Sequence, residues 1–216
     1  MLWRLLPPPS DYAETLAAMD ALVNRLVADP QMEPEAWLLE HPPLYTAGTS
    51  AKADELLNPG DWPVYPSGRG GKYTWHGPGQ RTVYVMQNLK VLQQDKPDLR
   101  AYVQGLEAWV IDTLNRFGVV GYRRTGQIGV WVDRPAALGD QLVPAKIAAI
   151  GVRVRQWVTS HGIALNVHND LAAYGGIIPC GIVGAGVTSL HDMGVTVSMD
   201  AVDEALKASW TAVFGS

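Results

Sequence analysis

Two long strand-like runs in the second half of the chain constrain its fold more than any other feature. Residues 146–155 and residues 157–167 are both rich in apolar and β-branched side chains, and only Gln156 separates them. Such neighbouring runs predict an antiparallel β-hairpin, because a short connection brings two consecutive strands side by side. Further strands are predicted by shorter runs at residues 36–40, 82–88 and 127–132.

Helical spacing of apolar residues predicts three helices around these strands. The first follows Ser10, which is expected to cap it. The second begins at about Asp98, and the third begins at about Asp200 with Ser198 as its cap. Residues 45–66 show no regular pattern and are expected to form an irregular loop. Because the strands cluster between the helices and do not alternate with them regularly, the sequence predicts an α+β fold.

The bulk properties of the chain exclude several classes of protein. No repeat or linker divides the sequence, so residues 1–216 are expected to form a single domain. A net charge of −4 and a pI near 5.7 are not those of a general nucleic-acid binder, which carries a basic surface. No apolar stretch reaches the roughly 18 residues that a membrane span requires, so no membrane association is expected.

A glycine-rich segment at residues 69–80 combines its glycines with Arg69, Thr74 and His76. Glycine lets the backbone approach a ligand closely, at an entropic cost that needs a reason. A Gly-Pro-Gly sequence by itself is only a turn signal. A simple turn, however, does not require a cation, a hydroxyl and an imidazole within so few residues. The segment therefore predicts a binding loop.

Lys146 begins the first strand of the predicted hairpin. Strict alternation places it on the same face as the apolar residues Ala148 and Ile150, with Arg153 and Arg155 on the other face. A lysine on an apolar face is costly to bury in its charged form and is a candidate for chemistry. The alternative is a strand-end lysine whose ammonium reaches solvent.

Cys180 is the single cysteine of the chain, so an intramolecular disulfide framework and a multi-cysteine zinc site are both excluded. A lone cysteine is often an inert, buried side chain. Here Pro179 and Gly181 flank it, and a thiol in such a rigid, open turn is able to meet a carbonyl carbon. An ordinary thiol is mostly protonated at neutral pH and needs a neighbouring cation or base. The candidates are Lys146 and the histidines, of which His76 is the best placed.

Four segments of the sequence resemble, in their order and spacing, the family of lipoyl(octanoyl) transferases, also called octanoyl-carrier-protein:protein N-octanoyltransferases. The segments are residues 69–80, 146–151, 161–166 and 178–182, with a weaker fifth match at residues 186–190. The resemblance implies a fold related to the biotin and lipoate protein ligases, in which mixed β-sheets are flanked by helices.

The resemblance also implies a mechanism and a set of partners. Cys180 would carry an acyl-thioester intermediate, and Lys146 would favour its thiolate form. The donor would be octanoyl-acyl carrier protein, and the acceptors would be lipoyl domains of 2-oxoacid dehydrogenase complexes and the glycine cleavage H protein. No cofactor or metal is expected, because the acyl group arrives already activated, and the expected location is the cytoplasm. The implied acyl-binding residues are Arg69, Gly70, Gly71, Lys72, Tyr73, Thr74, Trp75, His76, Ala149, Ile150, Gly151, Gly162, Ile163 and Ala164.

Three other functions remain open at this point. An ATP-dependent lipoate or biotin ligase would share the fold but would have no use for a catalytic cysteine. A non-enzymatic acyl-binding module would share the pocket without forming a covalent adduct. A thiol protease is the weakest alternative, since neither histidine motif has an evident Asn or Asp partner.

Overall fold

A computed structural model of the protein describes residues 1–135, 141–178 and 186–215. The helices in these ranges are α1 (Tyr12–Ala28), α2 (Leu89–Leu92), α3 (Leu99–Asn115) and α4 (Met199–Phe214). The strands are β1 (Leu2–Leu5), β2 (Glu35–Leu39), β3 (Leu44–Ala47), β4 (Val64–Pro66), β5 (Tyr73–His76), β6 (Gln80–Met86), β7 (Tyr122–Arg124), β8 (Gln127–Pro135), β9 (Leu142–Arg155), β10 (Val158–Asn166) and β11 (Gly186–Val187). Two 3₁₀ helices, Ala53–Glu55 and Leu171–Gly176, complete the described elements. None of the described helices is both long enough and apolar enough to cross a membrane.

The strands form two mixed sheets. The larger sheet has the order β1-β2-β6-β10-β9-β8-β7, and β11 also pairs with β9. Its neighbours are antiparallel, except for the parallel pairs β1–β2 and β11–β9. The smaller sheet has the order β4-β3-β5, with β3 parallel to β4 and antiparallel to β5. The predicted β9–β10 hairpin is confirmed.

Helices cover both faces of the larger sheet. On one face, α1 packs through Met19 and Leu26 against side chains of β2 and β6. On the other face, α3 and α4 pack through Leu106, Trp109 and Leu206 against β6, β8, β9 and β10. The sheet is therefore buried between two layers of helix, which confirms the predicted α+β class with mixed sheets flanked by helices.

Two details of the predicted fold are wrong. Asp11, and not Ser10, caps α1, because its side chain accepts the Glu14 N–H at 2.9 Å. Residues 45–66 are not an irregular loop, since they contain most of β3 and all of β4, which pair with each other in the smaller sheet. The cap differs because Ser10 and Asp11 are both good capping residues, and the two strands were missed because each is short and depends on its partner strand.

A buried ion pair joins the larger sheet to α4. The Nε of Arg81, on β6, lies 2.8 Å from Oδ1 of Asp203, and both side chains are about 5% exposed or less. Nη2 of Arg81 donates to Oδ2 at 3.2 Å, whereas the close Nε–Oδ1 contact lacks the alignment of a hydrogen bond. The two opposite charges therefore lie in contact inside the core, and Arg81 belongs to the strand that also contributes to the site described below.

Candidate functional site

Four small residues form the floor of a depression on the larger sheet. Ala149 and Gly151 of β9 lie directly opposite Ala164 and Gly162 of β10. Paired residues on neighbouring strands point to the same face, and here each offers at most a methyl group. Gly162 also pairs with Tyr84 of β6, whose side chain packs against α1, so this is the α1 side of the sheet. We call these four positions the small-residue groove.

Most residues predicted to bind the acyl group border this groove. Those that do are Arg69, Thr74, His76, Ala149, Ile150, Gly151, Gly162, Ile163 and Ala164. Gly70, Gly71, Lys72, Tyr73 and Trp75 are not among the lining residues. Of these, Lys72 forms an ion pair with Glu55, and Trp75 packs in a separate apolar cluster with Tyr45 and Tyr174.

Four lining residues were absent from the predicted set: Tyr12, Thr82, Tyr84 and His161. Tyr12 comes from the start of α1. Thr82 and Tyr84 lie opposite Ala164 and Gly162, and therefore share a face with the small-residue groove. Only the pairing of β6 with β10 could have identified them. His161 was visible in the sequence, since it begins the segment that contains Gly162.

The glycine-rich segment is only partly a loop. Tyr73–His76 forms β5 of the smaller sheet, so the loop proper precedes it. The Gly70 N–H donates to the Val152 carbonyl at 2.9 Å and fastens this loop to β9. A side chain at Gly151 would lie only 3.0 Å from Cδ of Arg69, so the loop packs directly on the small-residue groove. The segment thus forms a wall of the depression.

His76 is a neutral, fully engaged histidine. Nε2 of Gln80 donates to the Trp75 carbonyl at 3.1 Å, so Oε1 of Gln80 must accept from Nδ1 of His76, 2.8 Å away. The other ring nitrogen of His76 lies 3.3 Å from the Thr46 hydroxyl. Burial lowers the pKa of His76 well below its ordinary value, and the charges of His41 and Arg69 act in the same direction. Among the described residues, no group of three His, Cys, Asp or Glu side chains is placed to hold a metal ion.

Protonation of His161 is expected to destabilise the fold as the pH falls. Burial, aided by the charge of Arg69, lowers the pKa of His161 to about 4 from its ordinary value of 6.5. The unfolded chain therefore binds a proton more readily than the folded chain between these two values, and stability is lost as the pH falls from about 6.5 to about 4. The contribution is roughly 3 kcal/mol.

The check is denaturant unfolding of the wild type and of His161→Asn between pH 7 and pH 4.5. Asparagine tolerates the left-handed backbone at this position, where φ is 59°, and does not titrate. We expect His161→Asn to lose less stability on acidification than the wild type. His191→Asn, at an exposed position, serves as the control and should follow the wild type. Equal pH dependence in all three proteins would contradict the prediction.

Lys146 lies on the opposite face of the sheet from the one predicted. Val130 pairs with Ala148, but the next residue of β8, Trp131, pairs with Lys146, so Ile147 is an extra residue of β9. This β-bulge reverses the alternation of the strand. Ile147 and Ala148 both pack in the core, whereas Lys146 and Trp131 point away from it. The bulge therefore puts Lys146 on the same face as the small-residue groove, three residues from it along one strand.

The Lys146 side chain is largely buried in the protein. It is only 9% exposed, and its Nζ donates to the Ile128 carbonyl at 2.6 Å. The ammonium also lies 5.6 Å from the centroid of the Trp131 ring, within the range of a cation–π contact. The alternative of a solvent-exposed, strand-end lysine is therefore excluded.

Cys180 belongs to residues 179–185, which lie outside the described part of the chain. The chain returns to the described structure at Gly186, and β11 then runs parallel to β9. In that pairing Gly186 is opposite Ala145 and Val187 is opposite Lys146. The strand that follows the cysteine segment is thus a direct neighbour of Lys146.

A chain of buried hydrogen bonds links the end of the glycine-rich segment to the neighbourhood of Lys146. Nε2 of Gln80 lies within hydrogen-bond distance of Oδ1 of Asn166 and of the Tyr174 hydroxyl. Nδ2 of Asn166 donates to the Thr188 carbonyl at 2.9 Å, and the Thr188 N–H donates to the Lys146 carbonyl at 3.0 Å. The sequence indicated no site role for these amides, because they act through contacts between distant segments.

Comparisons with known proteins relate the chain to enzymes of protein lipoylation. A family model described as the lipoyl protein ligase A/B catalytic domain matches residues 11–211. A protein named octanoyltransferase from Paramagnetospirillum magneticum is 55% identical over 99% of this chain and 97% of its own length. Proteins of the same name from Acidiphilium cryptum and Caulobacter vibrioides are 53% and 51% identical, over 98% and 99% of this chain and 91% and 92% of their own lengths.

Solved structures show the same fold at low sequence identity. A bi-partite lipoate protein ligase from Thermoplasma acidophilum aligns with a TM-score of 0.77 at 18% identity, over 98% of this chain and 82% of its own. A lipoate-protein ligase A bound with ATP aligns with a TM-score of 0.68 at 19% identity, covering 99% of this chain and 85% of that one. The biotin protein ligase of Aquifex aeolicus aligns with a TM-score of 0.50 at 11% identity, over 98% of this chain and 66% of its own length. The predicted relation of the fold to biotin and lipoate protein ligases is confirmed.

Proposed function

Because the chain belongs to the family of lipoyl protein ligase A/B catalytic domains, we propose that it is an octanoyltransferase of protein lipoylation, with residues 1–216 acting as one catalytic domain. The octanoyl, or lipoyl, group moves from acyl carrier protein to a lysine of a lipoyl domain. The acceptors are the lipoyl domains of 2-oxoacid dehydrogenase complexes and the glycine cleavage H protein, and the reaction takes place in the cytoplasm. The names of relatives that are 51–55% identical over nearly their whole length support octanoyl transfer.

The observation that carries this proposal is the position of the Lys146 ammonium. It lies on the same face as the small-residue groove, and β11 lies beside it. Cys180 precedes Gly186 by six residues, so at most about 20 Å of extended chain separates the cysteine from that strand. This short connection allows the Cys180 sulfur to approach Lys146. It therefore supports Cys180 and Lys146 as the reacting pair.

In the first step, the Cys180 thiolate attacks the thioester carbonyl of the octanoyl group. A bond forms between the carbonyl carbon and the cysteine sulfur, and the bond to the phosphopantetheine sulfur breaks. The departing sulfur leaves as a thiolate and takes up a proton from Lys146, which leaves the Lys146 amine neutral for the second step. Lys146 favours the reactive form of the cysteine either by accepting its proton or by the field of its ammonium. The thioester supplies the activation, so neither ATP nor a metal enters this step.

In the second step, the lysine amine of the lipoyl domain attacks the acyl-enzyme. The new amide bond forms as the Cys180 thiolate leaves, and the amine must lose a proton. Lys146 suits this task better than His76, because both ring nitrogens of His76 already make hydrogen bonds and its pKa is strongly lowered by burial. His76 instead helps to hold the wall of the depression in place through its contacts with Gln80 and Thr46.

The small-residue groove is the proposed binding site for the acyl chain, together with the predicted segments that border it. Gly151 and Gly162 carry no side chain and Ala149 and Ala164 carry only methyl groups, which supports a hydrocarbon site beside Arg69, whose stem packs against Gly151. Each methylene that it buries contributes about 0.8 kcal/mol, which favours eight carbons over much shorter chains.

The test is incubation of the protein with octanoyl-acyl carrier protein, followed by intact-mass measurement. We expect a covalent octanoyl adduct on the wild type and none on Cys180→Ala. Addition of a lipoyl domain should then remove the adduct and acylate the domain. Carrier protein without an octanoyl group is the control. Tight binding without an adduct would contradict the proposal and would instead indicate an acyl-binding module.

The same variant separates the transferase from an ATP-dependent ligase. A ligase forms an acyl-adenylate and does not use a cysteine nucleophile, so Cys180→Ala would leave its activity intact when ATP and octanoate are supplied. We expect the wild type to acylate the lipoyl domain from the carrier thioester without ATP. Transfer that requires ATP and persists in Cys180→Ala would overturn the proposed function.

A further inference from the structure

A single peptide group on β8 lies between two buried charged side chains. The carbonyl of the Ile128–Gly129 peptide accepts from Nζ of Lys146 at 2.6 Å. The N–H of the same peptide donates to Oε1 of Glu107, on α3, at 3.1 Å. In a trans peptide these two groups point in opposite directions, so the carboxylate and the ammonium approach it from opposite ends.

This arrangement aligns the peptide dipole with both charges. The negative carboxylate lies at the positive N–H end, and the positive ammonium lies at the negative carbonyl end. Each contact polarises the peptide in the sense that strengthens the other, and the effect is larger in a site that excludes water. The Glu107 side chain is only 8% exposed, and its Oε2 lies 3.2 Å from Nε of the half-exposed Arg123. The buried carboxylate therefore has partners at both oxygens.

Gly129 supplies the space that this arrangement needs. Its φ of 126° lies in the region that favours glycine. A Cβ added there would overlap Cε of Lys146 and would lie 2.8 Å from its Nζ and 2.7 Å from the Ala148 carbonyl oxygen. The lysine side chain therefore occupies the volume that any other residue at position 129 would fill.

We infer that Glu107 is a positioning residue for Lys146. Its carboxylate fixes the orientation of the Ile128–Gly129 peptide, and the carbonyl of that peptide holds the ammonium on the face of the small-residue groove. The importance of this position for octanoyl transfer rests on the proposed function. Without the carboxylate, the Gly129 N–H loses its acceptor, and the Ile128 carbonyl is held less firmly towards Nζ of Lys146.

The test compares Glu107→Gln with Glu107→Leu. Glutamine keeps an oxygen that accepts the Gly129 N–H, whereas leucine fills a similar volume without an acceptor. We expect Glu107→Leu to lower kcat by about 10- to 100-fold, the effect of losing one hydrogen bond to a charged group, with KM for the acyl donor unchanged. Glu107→Gln should keep kcat within about threefold of the wild type, since it preserves the contact.

A second readout follows the lysine itself and does not depend on activity. The ammonium lies over the Trp131 ring, so the ring current should shift the terminal methylene resonances of Lys146 in protein with isotope-labelled lysine. Comparison with Lys146→Met assigns these resonances. We expect them to move towards the positions of exposed lysines in Glu107→Leu and in Gly129→Ala, and to stay in place in Glu107→Gln.

Two control variants separate positioning from general destabilisation. Thr113→Ala removes a buried hydrogen bond to the Trp109 carbonyl on the same helix. Arg123→Gln removes the other partner of Glu107 and leaves the Gly129 contact in place. Both should keep the Lys146 resonances and kcat. Unmoved resonances in Glu107→Leu, or an equal loss of kcat in Thr113→Ala, would overturn the inference. If the wild type transfers no octanoyl group, the proposed function fails, and the resonances still decide whether Glu107 positions Lys146.

Discussion

Replacing Lys146 by methionine will slow octanoyl transfer by about 10²- to 10⁴-fold, the range expected for loss of a group that moves protons in the reaction. The side chain lies on the face of the small-residue groove, and β11, which follows the segment of Cys180, pairs with its strand. Methionine matches the lysine stem in length and flexibility and fits beside Gly129, so the fold should be retained. The lower rate would therefore measure the contribution of the Lys146 ammonium and its proton. It would not reflect a change in the packing of β9.

The measurement is the single-turnover rate of acyl-enzyme formation, followed by intact mass, together with steady-state transfer to a lipoyl domain. Lys207→Met is the matched control, because Lys207 lies on α4 and forms an ion pair with the neighbouring Glu204 on the surface. We expect this control to react at the wild-type rate. If Lys146→Met forms the acyl-enzyme at the wild-type rate, the cysteine acts without the lysine. The proposed pair of Cys180 and Lys146 would then have to be abandoned.

Replacing Asp203 by alanine will destabilise the fold by about 3–5 kcal/mol, the largest effect on stability that we expect from a single substitution in the described part of the chain. The substitution leaves the guanidinium of Arg81 buried without its carboxylate, and this side chain is only 4% exposed. Removing both charges has a much smaller effect, because a buried pair repays little more than the cost of taking the two ions out of water. The double variant Arg81→Leu with Asp203→Leu should therefore recover most of the stability that Asp203→Ala loses.

Denaturant unfolding of the single and double variants forms the test. Glu204→Ala is the control on the same helix, because Glu204 is 74% exposed and its ion pair with Lys207 contributes at most about 1 kcal/mol. A loss in Asp203→Ala no larger than that in Glu204→Ala would show that the buried pair is not a major source of stability. Because Arg81 lies on the strand that carries Thr82 and Tyr84, a loosened pair should also disturb the depression.

The parts of the fold that sequence reasoning predicted correctly are those fixed by local chemistry. The β9–β10 hairpin follows from two neighbouring strand patterns. Ser198 caps α4 as predicted, through the Ala201 N–H. The cap of α1 was misplaced by one residue, because Ser10 and Asp11 are both good capping residues and sequence alone does not choose between them. Strands β3 and β4 were missed, because each is short and is defined by its partner in the smaller sheet.

The candidate site shows the same division between local and tertiary information. The small residues of the groove were found through the family resemblance, and their facing positions on β9 and β10 explain why they belong together. The face of Lys146 was predicted wrongly, because the bulge at Ile147 exists only in the register with β8. The contribution of Tyr12 depends on how α1 is placed over the sheet, which no spacing within the helix encodes.

The bulge in β9 also fixes how Lys146 is placed relative to the small-residue groove on the same strand. Lys146 and the groove positions Ala149 and Gly151 share one strand, in which Lys146 pairs with β8 and β11 and the groove positions pair with β10. Because each of these positions is hydrogen-bonded to a neighbouring strand, we expect local opening of the surrounding loops to leave the spacing between Lys146 and the small-residue groove unchanged. Under the proposed function, a substrate would therefore enter by displacing loops while Lys146 and the small-residue groove keep their spacing.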